Sequence, residues 1–261
     1  MQISLDTADL DEVRAAADLG VLGKVTTNPS HMAKAGARDP RRHIQEICHA
    51  ADVPVSAEVT ATTTDEMISQ ARDIATWSPN VVVKMPTTPD GLRAVHTFTR
   101  ETHTADCTGC PYRDGCPIRA RFAADEGLTR NVPVNATVVF SVGQAVAASV
   151  AGAAYVSPFV GRLDAVGQDG MHLVSDIAEI FRRHDVPTRI IAAALRHPIH
   201  VSESFKAGAH ICTMSYAVLD QLLHHPLTDA AVEGFTADWA ALQASSAPSE
   251  KAPDAPARSA V

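Results

Sequence analysis

Short apolar runs alternate with amphipathic segments almost to the end of the chain. The runs predict eight strands, at 2–6, 24–28, 55–60, 81–86, 134–140, 155–160, 189–195 and 210–215. Apolar positions at helical spacing predict helices between them, at 8–19, 40–50, 64–77, 89–101, 142–152, 170–184, 198–207 and 215–224. Eight βα units in a chain of 261 residues predict an α/β fold of the (β/α)8 TIM-barrel type. A doubly wound sheet is the alternative, but no Gly-x-Gly-x-x-Gly turn follows an early strand.

Two regions depart from this repeat. An insertion at about 102–130 separates the fourth predicted helix from the fifth predicted strand, where a barrel normally has a connection of only a few residues. After the eighth unit, apolar residues at helical spacing predict one extra C-terminal helix over 229–242. Residues 244–261 are rich in Ala, Ser and Pro and predict a disordered tail. We therefore expect a barrel over 1–243 that carries one insertion.

Composition and charge exclude several classes of function. The formal net charge is -8, and no basic run occurs, so we expect no nucleic-acid partner. No stretch approaches the ~20 apolar residues of a membrane span, and the first residues predict a strand rather than a leader peptide. Five cysteines, three of them clustered, suggest free thiols or a metal site rather than a disulfide framework. We therefore expect a cytoplasmic protein without a membrane partner.

The fourth predicted strand ends in a lysine. Three valines lead directly into Lys84, and Pro86 ends the run. Burial disfavours the ammonium form, and a neutral amine in a partly dry pocket can attack a carbonyl to form a Schiff base. The alternative is a strand-end lysine that simply reaches water.

In a barrel, residues at the carboxyl ends of the strands face the active site. Polar residues occupy these positions throughout the chain: Asp6, Thr26, Thr27, Asn28, Glu58, Thr60, Lys84, Asn135, Thr137, Ser157, Arg162 and Arg196. A lysine nucleophile, two carboxylates, amides, hydroxyls and two arginines suit carbonyl chemistry on a phosphorylated sugar, because a guanidinium can hold phosphate through two hydrogen bonds.

At this point the sequence resembles a known family. The segments that carry the resemblance are Asp6-Thr7, Thr26-Thr27-Asn28-Pro29-Ser30, Val82-Val83-Lys84-Met85-Pro86 and Ser157-Pro158-Phe159-Val160-Gly161-Arg162-Leu163-Asp164. Their order and spacing are similar to those of the transaldolase family, which includes the small fructose-6-phosphate aldolases. The resemblance implies a (β/α)8 barrel, a Schiff-base lysine on the fourth strand, no catalytic cofactor, sugar-phosphate substrates and a homo-oligomer.

The resemblance also implies a role for each motif residue. Lys84 would form the Schiff base, and Asp6 would take and return the proton of the substrate C4 hydroxyl. Glu58 and Thr137 would hold the water used to form and resolve the Schiff base. The expected substrate-binding residues are Asn28, Thr27, Asn135, Ser157, Arg162 and Arg196. Two structural alternatives remain, a helix N-cap for Asp6 and an ion pair with Lys84 for Glu58.

Three residues bear on the choice between the two branches of the family. Glu58, Thr137 and Phe140 resemble the transaldolase branch, whereas the small aldolases carry glutamine and tyrosine in this region. We therefore expect transfer of a dihydroxyacetone unit from a ketose phosphate to an aldehyde acceptor. The alternatives are a fructose-6-phosphate aldolase-type lyase and a non-catalytic barrel used as a metal-containing interaction protein.

One position departs from the family pattern. The seventh predicted strand ends Ala193-Ala194-Leu195-Arg196, where the family usually has a serine in place of Ala194. One lost hydrogen bond to a charged group costs about 1.5–3 kcal/mol. We therefore expect weaker phosphate binding, or a substrate other than the sugars of central metabolism, such as one from a specialised carbon-chain-building step.

The insertion carries three closely spaced cysteines. Cys107, Cys110 and Cys116, with His103 upstream, could supply four ligands to a zinc ion, or three thiolates to an iron–sulfur cluster. Reduced free thiols and a redox disulfide are the alternatives. Because the insertion precedes a strand, we expect it at the amino-terminal face of the barrel, away from the substrate, in a structural or contact role.

Overall fold

Eight parallel strands close into a barrel in the computed structural model, which describes residues 1–125 and 128–246. The barrel strands, in the order in which they neighbour one another, are β1 (Gln2–Asp6), β2 (Leu22–Thr26), β3 (Val55–Glu58), β4 (Val81–Pro86), β7 (Val134–Val139), β8 (Tyr155–Pro158), β9 (Arg189–Leu195) and β10 (Ile211–Met214). β10 pairs with β1 to complete the ring. The predicted (β/α)8 fold is confirmed.

Helices follow the strands, as the apolar spacing predicts. They are α1 (Leu10–Asp18), α2 (Pro29–Lys34), α3 (Pro40–Ala51), α4 (Thr64–Ala75), α5 (Pro89–Phe98), α6 (Pro117–Asp125), α7 (Val142–Ala151), α8 (Val160–Asp164), α9 (Gly170–Arg183), α10 (Pro198–Lys206), α11 (Tyr216–Leu223) and α12 (Pro226–Ser246). The sequence did not predict α2, α6 and α8. These helices are short, from five to nine residues, so they contain too few turns to show a clear repeat.

The start of α1 settles one structural alternative for Asp6. The Asp9 side chain caps this helix, with Oδ1 accepting from the backbone N–H groups of Asp11 at 2.8 Å and Glu12 at 3.2 Å. Asp6 belongs to β1 instead. The reading of Asp6 as the helix cap is therefore wrong, and its carboxylate is available at the barrel mouth.

The barrel interior contains a second buried lysine. Lys24 of β2 is 1% exposed, and its Nζ lies 4.4 Å from the ring centroid of Tyr155. The amine has no hydrogen-bond partner among the described residues. Burial, followed by the nearby positive charges of Arg189 and Lys84, lowers the pKa of Lys24 to about 7.

Lys24 should make the stability of the protein depend on pH. The unfolded chain keeps this proton up to about pH 10.5 and the folded chain releases it near pH 7, so unfolding takes up a proton between these values. The free energy of unfolding should therefore rise with pH across this window, by about 1.4 kcal/mol per unit. Lys24→Met should remove this slope and stabilise the protein near pH 7 by on the order of 4 kcal/mol.

Urea denaturation of the wild type and the variant from pH 6 to 10 measures both effects. Lys34→Met, which changes an exposed lysine of α2, is the matched control and should retain the wild-type slope. Equal slopes for the wild type and Lys24→Met would contradict the buried, neutral state of this amine.

The insertion lies between α5 and β7. It contains α6 and two short antiparallel strands, β5 (His103–Thr104) and β6 (Thr129–Arg130). The backbone N–H of Cys107 donates to the carbonyl of Thr76 at 3.1 Å, and Arg130 Nη2 donates to the carbonyl of Val81 at 3.0 Å. Thr76 and Val81 flank the amino end of β4, so the insertion contacts the end of this strand opposite to Lys84.

The C-terminal part of the described chain belongs to a second compact unit, Gln221–Val261. Its helix α12 continues to Ser246, three residues into the predicted tail. The rest of that predicted tail, 247–261, lies outside the described residues. Within the described part of the chain, no helix combines the length and the apolar character needed to cross a membrane.

Candidate active site

A pocket of about 390 Å³ opens at the carboxyl ends of the barrel strands. Most of the predicted site residues line it. The full lining is Asp6, Thr26, Asn28, Pro29, Ser30, His31, Glu58, Lys84, Thr137, Val138, Ser157, Phe159, Arg162, Ala193, Ala194, Arg196 and Thr213. Parallel strands bring their carboxyl ends to one edge, so residues far apart in sequence share this space.

Lys84 lies deep in this pocket and is 5% exposed. The strand register places it beside Glu58 of β3 on one side and Asn135 of β7 on the other. Lys84 Nζ is 3.0 Å from Glu58 Oε2 and donates to the carbonyl of Thr27 at 3.2 Å. The ion pair suggested for Glu58 is therefore present, and it holds the amine in place at the pocket floor.

Asp6 stands across the barrel closure, on β1. Its Oδ1 accepts a hydrogen bond from Thr26 Oγ1 at 2.8 Å, and Thr26 Oγ1 lies 2.7 Å from Thr213 Oγ1. His31 Nδ1 is 3.6 Å from the same carboxylate oxygen. The Asp6 side chain is 25% exposed, so one face of the carboxylate is fixed by hydrogen bonding while the other remains open to the pocket.

Asn28 has a structural role besides lining the pocket. It is the N-cap of α2, and its Oδ1 accepts from the backbone N–H of His31 at 2.9 Å. Its Nδ2 lies 3.2 Å from His31 Nδ1. Sequence reasoning did not predict His31 as a site residue. The signal was available, because an Asn-Pro pair that starts a helix places the third residue after Asn on the cap side of the first turn.

Two of the predicted substrate-binding residues do not line the pocket. Thr27 is buried, and its hydroxyl donates to the carbonyl of Ser56 at 2.7 Å. Asn135 is also buried, and its Oδ1 accepts from Ser157 Oγ at 2.7 Å. Their polar groups are occupied inside the protein, so they support Lys84 and Ser157 from behind the pocket wall.

Thr137 differs from these two residues. It is 0% exposed and lines the pocket, yet its Oγ1 has no hydrogen-bond partner among the described residues. A buried hydroxyl without a partner is costly, and such groups usually hydrogen-bond a water or ligand. This hydroxyl is therefore free to bind a molecule that enters the pocket beside Lys84.

Two β-bulges shape one wall of the pocket. On β7, Thr137 and Val138 together face Ser157, and on β9, Ala193 and Ala194 together face Thr213. The extra residues have positive φ, 60° at Val138 and 58° at Ala194. Such backbone conformations cost roughly 1–3 kcal/mol in non-glycine residues and concentrate at functional sites. Both residues line the pocket, and the sequence contained no signal for them.

Two arginines stand at the rim of the pocket. Arg162 belongs to α8, and Arg196 follows the end of β9. Arg196 packs closely on Gly161, the residue before Arg162, because Gly161 has no side chain. A Cβ at this position would lie 2.3 Å from the carbonyl oxygen of Ala194 and 2.9 Å from Arg196 Cγ. Gly161 thus lets α8 pack against the end of β9, and the two exposed guanidinium groups share one edge.

Phe140 does not line the pocket. It follows β7, is 39% exposed and packs edge to face on Phe159, with ring centroids 5.7 Å apart. Phe159 is a lining residue. Phe140 therefore contacts the site through a second aromatic ring.

The cysteines of the insertion lie away from this pocket. Cys107, Cys110 and Cys116 line a small separate cavity and form no disulfide. Burial raises the pKa of the Cys107 thiol to about 11, whereas reactive cysteines have a lowered pKa. Among the residues that the structure describes, no group of three or more His, Cys, Asp or Glu side chains is arranged to hold a metal ion.

The structure does not bring His103 to these cysteines. Its ring stacks on Phe98 at a centroid distance of 4.3 Å, and its Nε2 is 3.7 Å from Glu101 Oε2. Burial lowers the pKa of this imidazole. His103 therefore packs against the end of α5 rather than beside the thiols.

Comparison with known proteins identifies the family. The model of the transaldolase/fructose-6-phosphate aldolase family matches residues 3–252. The chain belongs to this family. It is 46% identical to a protein named probable transaldolase from Roseiflexus castenholzii, over 93% of this chain and 99% of the relative. A second relative of that name, from Desulforamulus reducens, is 45% identical over 93% of this chain and 98% of its own length.

Solved structures add evidence on the fold alone. One from Burkholderia cenocepacia aligns with 93% of this chain and 82% of its own, with a TM-score of 0.54 and 13% sequence identity. The family and the names of the relatives indicate a transaldolase-type enzyme. Family members act on sugar phosphates and need no catalytic cofactor.

Proposed function

We propose that this family member is a Schiff-base transaldolase that transfers a dihydroxyacetone unit from a ketose phosphate to an aldehyde acceptor. The observation that carries the proposal is the position of Lys84. Its amine lies at the floor of the pocket, 3.0 Å from Glu58 Oε2. It faces the same space as Asp6 and the Thr137 hydroxyl, which has no partner in the part of the chain that the structure describes.

Bond formation starts at Lys84. The ammonium passes a proton to Glu58, and the neutral Nζ attacks the C2 carbonyl of the ketose. Glu58 then returns this proton to the carbinol oxygen, which leaves as water and gives an iminium ion. The iminium draws the electron pair of the C3–C4 bond as that bond breaks, which leaves an enamine on Lys84 and releases an aldehyde.

Asp6 moves the proton that this cleavage requires. Its open carboxylate face takes the proton of the C4 hydroxyl as the aldehyde forms, and returns it to the new alkoxide when the enamine attacks the acceptor. The hydrogen bond from Thr26 Oγ1, 2.8 Å long, holds the carboxylate toward the pocket. Asn28, which also lines the pocket, is placed to hold a donor hydroxyl through its amide.

Water is needed to form and to resolve the Schiff base. Thr137 Oγ1 has no partner in the described chain. Glu58 lies beside Lys84 and lines the same pocket as Thr137. A water molecule between these two groups would satisfy the hydroxyl and could be activated by the carboxylate. We therefore assign water handling to Glu58 and Thr137.

The two rim arginines suit the phosphate group of the substrate. Arg162 and Arg196 both line the pocket and are exposed, whereas Lys84 in the same pocket is buried. Each guanidinium can form two parallel hydrogen bonds to phosphate oxygens. We assign phosphate binding to this pair, with Ser157 as a supporting hydroxyl. The reaction needs no metal, so a metal at the cysteine insertion would serve the fold. We further propose a cytoplasmic homo-oligomer.

Product analysis tests transfer against simple cleavage. With fructose 6-phosphate and an aldehyde acceptor such as erythrose 4-phosphate, the enzyme should form the seven-carbon ketose phosphate and glyceraldehyde 3-phosphate. Without an acceptor, it should release little dihydroxyacetone beyond one enzyme equivalent. Sustained release of dihydroxyacetone without an acceptor would instead identify a lyase of the aldolase type.

Ala194 provides a test of the phosphate site. Restoring a hydroxyl with Ala194→Ser should add one hydrogen bond to the phosphate, worth about 1.5–3 kcal/mol. We expect the KM for a phosphorylated donor to fall by about tenfold or more, with little change in kcat. Steady-state kinetics with free dihydroxyacetone as the donor is the control, and its KM should not change. An unchanged KM for the phosphorylated donor would contradict the assigned position of the phosphate.

A further inference from the structure

Four of the five cysteines meet in one cavity at the amino-terminal side of the barrel. Three of them, Cys107, Cys110 and Cys116, come from the insertion. The fourth is Cys48 of α3, a residue about sixty positions earlier that lines the same cavity. The four thiols lie near enough for the charge of each insertion cysteine to act on Cys48. Tertiary packing therefore completes a set of four thiols.

The loop that carries these cysteines is firmly held against α3. Gln45 Nε2 donates to the carbonyl of Thr108 at 3.3 Å. The rings of His49 and Tyr112 stack with their centroids 3.8 Å apart. Gln45 and His49 are on the same helix as Cys48, so these contacts fix the insertion relative to the fourth thiol.

The backbone of the loop forms a tight turn at the Cys-x-x-Cys pair. The backbone N–H of Cys110 donates to the carbonyl of Cys107 at 3.0 Å. Cys107 has a φ of 57° and Gly109 a φ of 73°, so the backbone turns sharply between the two cysteines, and both of them line the cavity.

We propose that Cys48, Cys107, Cys110 and Cys116 together ligate a metal centre, and that this centre is an iron–sulfur cluster. Soft thiolate ligands select zinc, copper(I) and iron–sulfur clusters. Structural zinc sites usually combine two close pairs of ligands. Here three cysteines lie within ten residues and the fourth is remote, an arrangement of the kind found in ferredoxin-type clusters.

Burial raises the pKa of the Cys48 thiol to about 12 and that of Cys107 to about 11, so a bound metal has to displace the thiol protons. The positive charge of Arg119 acts on Cys107. Arg130 interacts electrostatically with Cys48. Hydrogen bonds to sulfur and nearby cations tune such centres. As they stand, these described thiols do not form a group set to hold a metal ion, so binding requires the four sulfur atoms that line the cavity to move closer together.

The metal content of the full-length protein, purified without air or chelators, tests the proposal. We expect about two or four irons per chain, an equal amount of acid-labile sulfide, and a visible absorption band that bleaches on reduction. One zinc per chain without iron would support the four-thiolate site and overturn the cluster. No bound metal, after anaerobic reconstitution with iron and sulfide as well, would overturn the site.

Single serine variants identify the ligands. Cys48→Ser should lose at least tenfold of the bound iron, as Cys107→Ser does, although the two residues lie on different elements. Cys212→Ser is the matched control, because Cys212 is buried in β10 outside the cluster, and it should keep the full iron content. Circular dichroism establishes that each variant is folded. A folded Cys48→Ser protein with wild-type iron would overturn the role of Cys48.

Discussion

Replacing Lys84 with methionine is expected to abolish transfer, with a loss of rate above about 10⁴-fold. Methionine is similar in length to lysine. Its apolar side chain is compatible with this buried position, which is 5% exposed, so the barrel should fold. The nucleophilic nitrogen is removed, and neither the iminium nor the enamine can form. Steady-state kinetics measures the loss of rate. Borohydride reduction in the presence of fructose 6-phosphate, followed by intact mass and peptide mapping, measures the adduct.

Lys24→Met is the matched control for this experiment. Lys24 is a second buried lysine inside the same barrel, but it does not line the pocket. The reduced three-carbon adduct should appear on Lys84 in the wild type and in Lys24→Met, and should be absent from Lys84→Met. An adduct on Lys24, or turnover by Lys84→Met at a rate near that of the wild type, would overturn the assignment of the nucleophile.

Asp6→Asn is expected to lower kcat by about 10²–10⁴-fold, the usual contribution of a general acid–base. Asparagine preserves the shape and can still accept from Thr26 Oγ1, but it cannot take the C4 hydroxyl proton. Formation of the Schiff base does not require that proton transfer. Free dihydroxyacetone with borohydride should therefore still label Lys84 in this variant, while cleavage and transfer become slow.

Asp9→Asn separates a catalytic effect from a structural one. Asp9 lies three residues from Asp6 and caps α1, and asparagine is an equally good N-cap. This variant should keep the wild-type kcat. If Asp6→Asn and Asp9→Asn had the same kinetics, or if Asp6→Asn lost the Lys84 adduct together with turnover, the role of Asp6 as the proton acceptor would be contradicted.

The sequence pattern was most informative about the barrel strands, because each of them is a short run of buried apolar residues. Eight apolar runs located all eight barrel strands, because parallel strands covered on both faces are continuously apolar. Polar residues that interrupt such runs at their carboxyl ends, such as Lys84 and Glu58, stand out for the same reason. The strand register then places these two residues side by side, so position in the run predicted proximity in space.

The local sequence pattern was less informative about which polar side chains reach the pocket and which residues they contact. Thr27 and Asn135 have the same residue types as the pocket-lining Asn28 and Thr137, yet their side chains are occupied behind the wall. The sequence also did not reveal the bulge at Val138, since the extra residue of a bulge is defined only against the neighbouring strand.

In the insertion, too, the sequence predicted part of the thiol site and the tertiary structure revealed the rest. The spacing of Cys107, Cys110 and Cys116 drew attention to a thiol site, and His103 was the nearest candidate in sequence for a fourth ligand. Only the packing of the insertion against α3 places Cys48 at the cavity and His103 on Phe98. A binding site needs groups that converge, and convergence of distant segments depends on tertiary contacts.

The sequence by itself therefore determined the barrel, the Schiff-base candidate and its family, because these depend on periodicity and on short motifs that a chain carries locally. The tertiary structure decided that the Thr137 hydroxyl has no partner among the described residues, how closely Arg196 packs on Gly161, and which cysteine completes the set of four. Each of these depends on distances between elements, and those distances exist only once the strands have closed into the barrel.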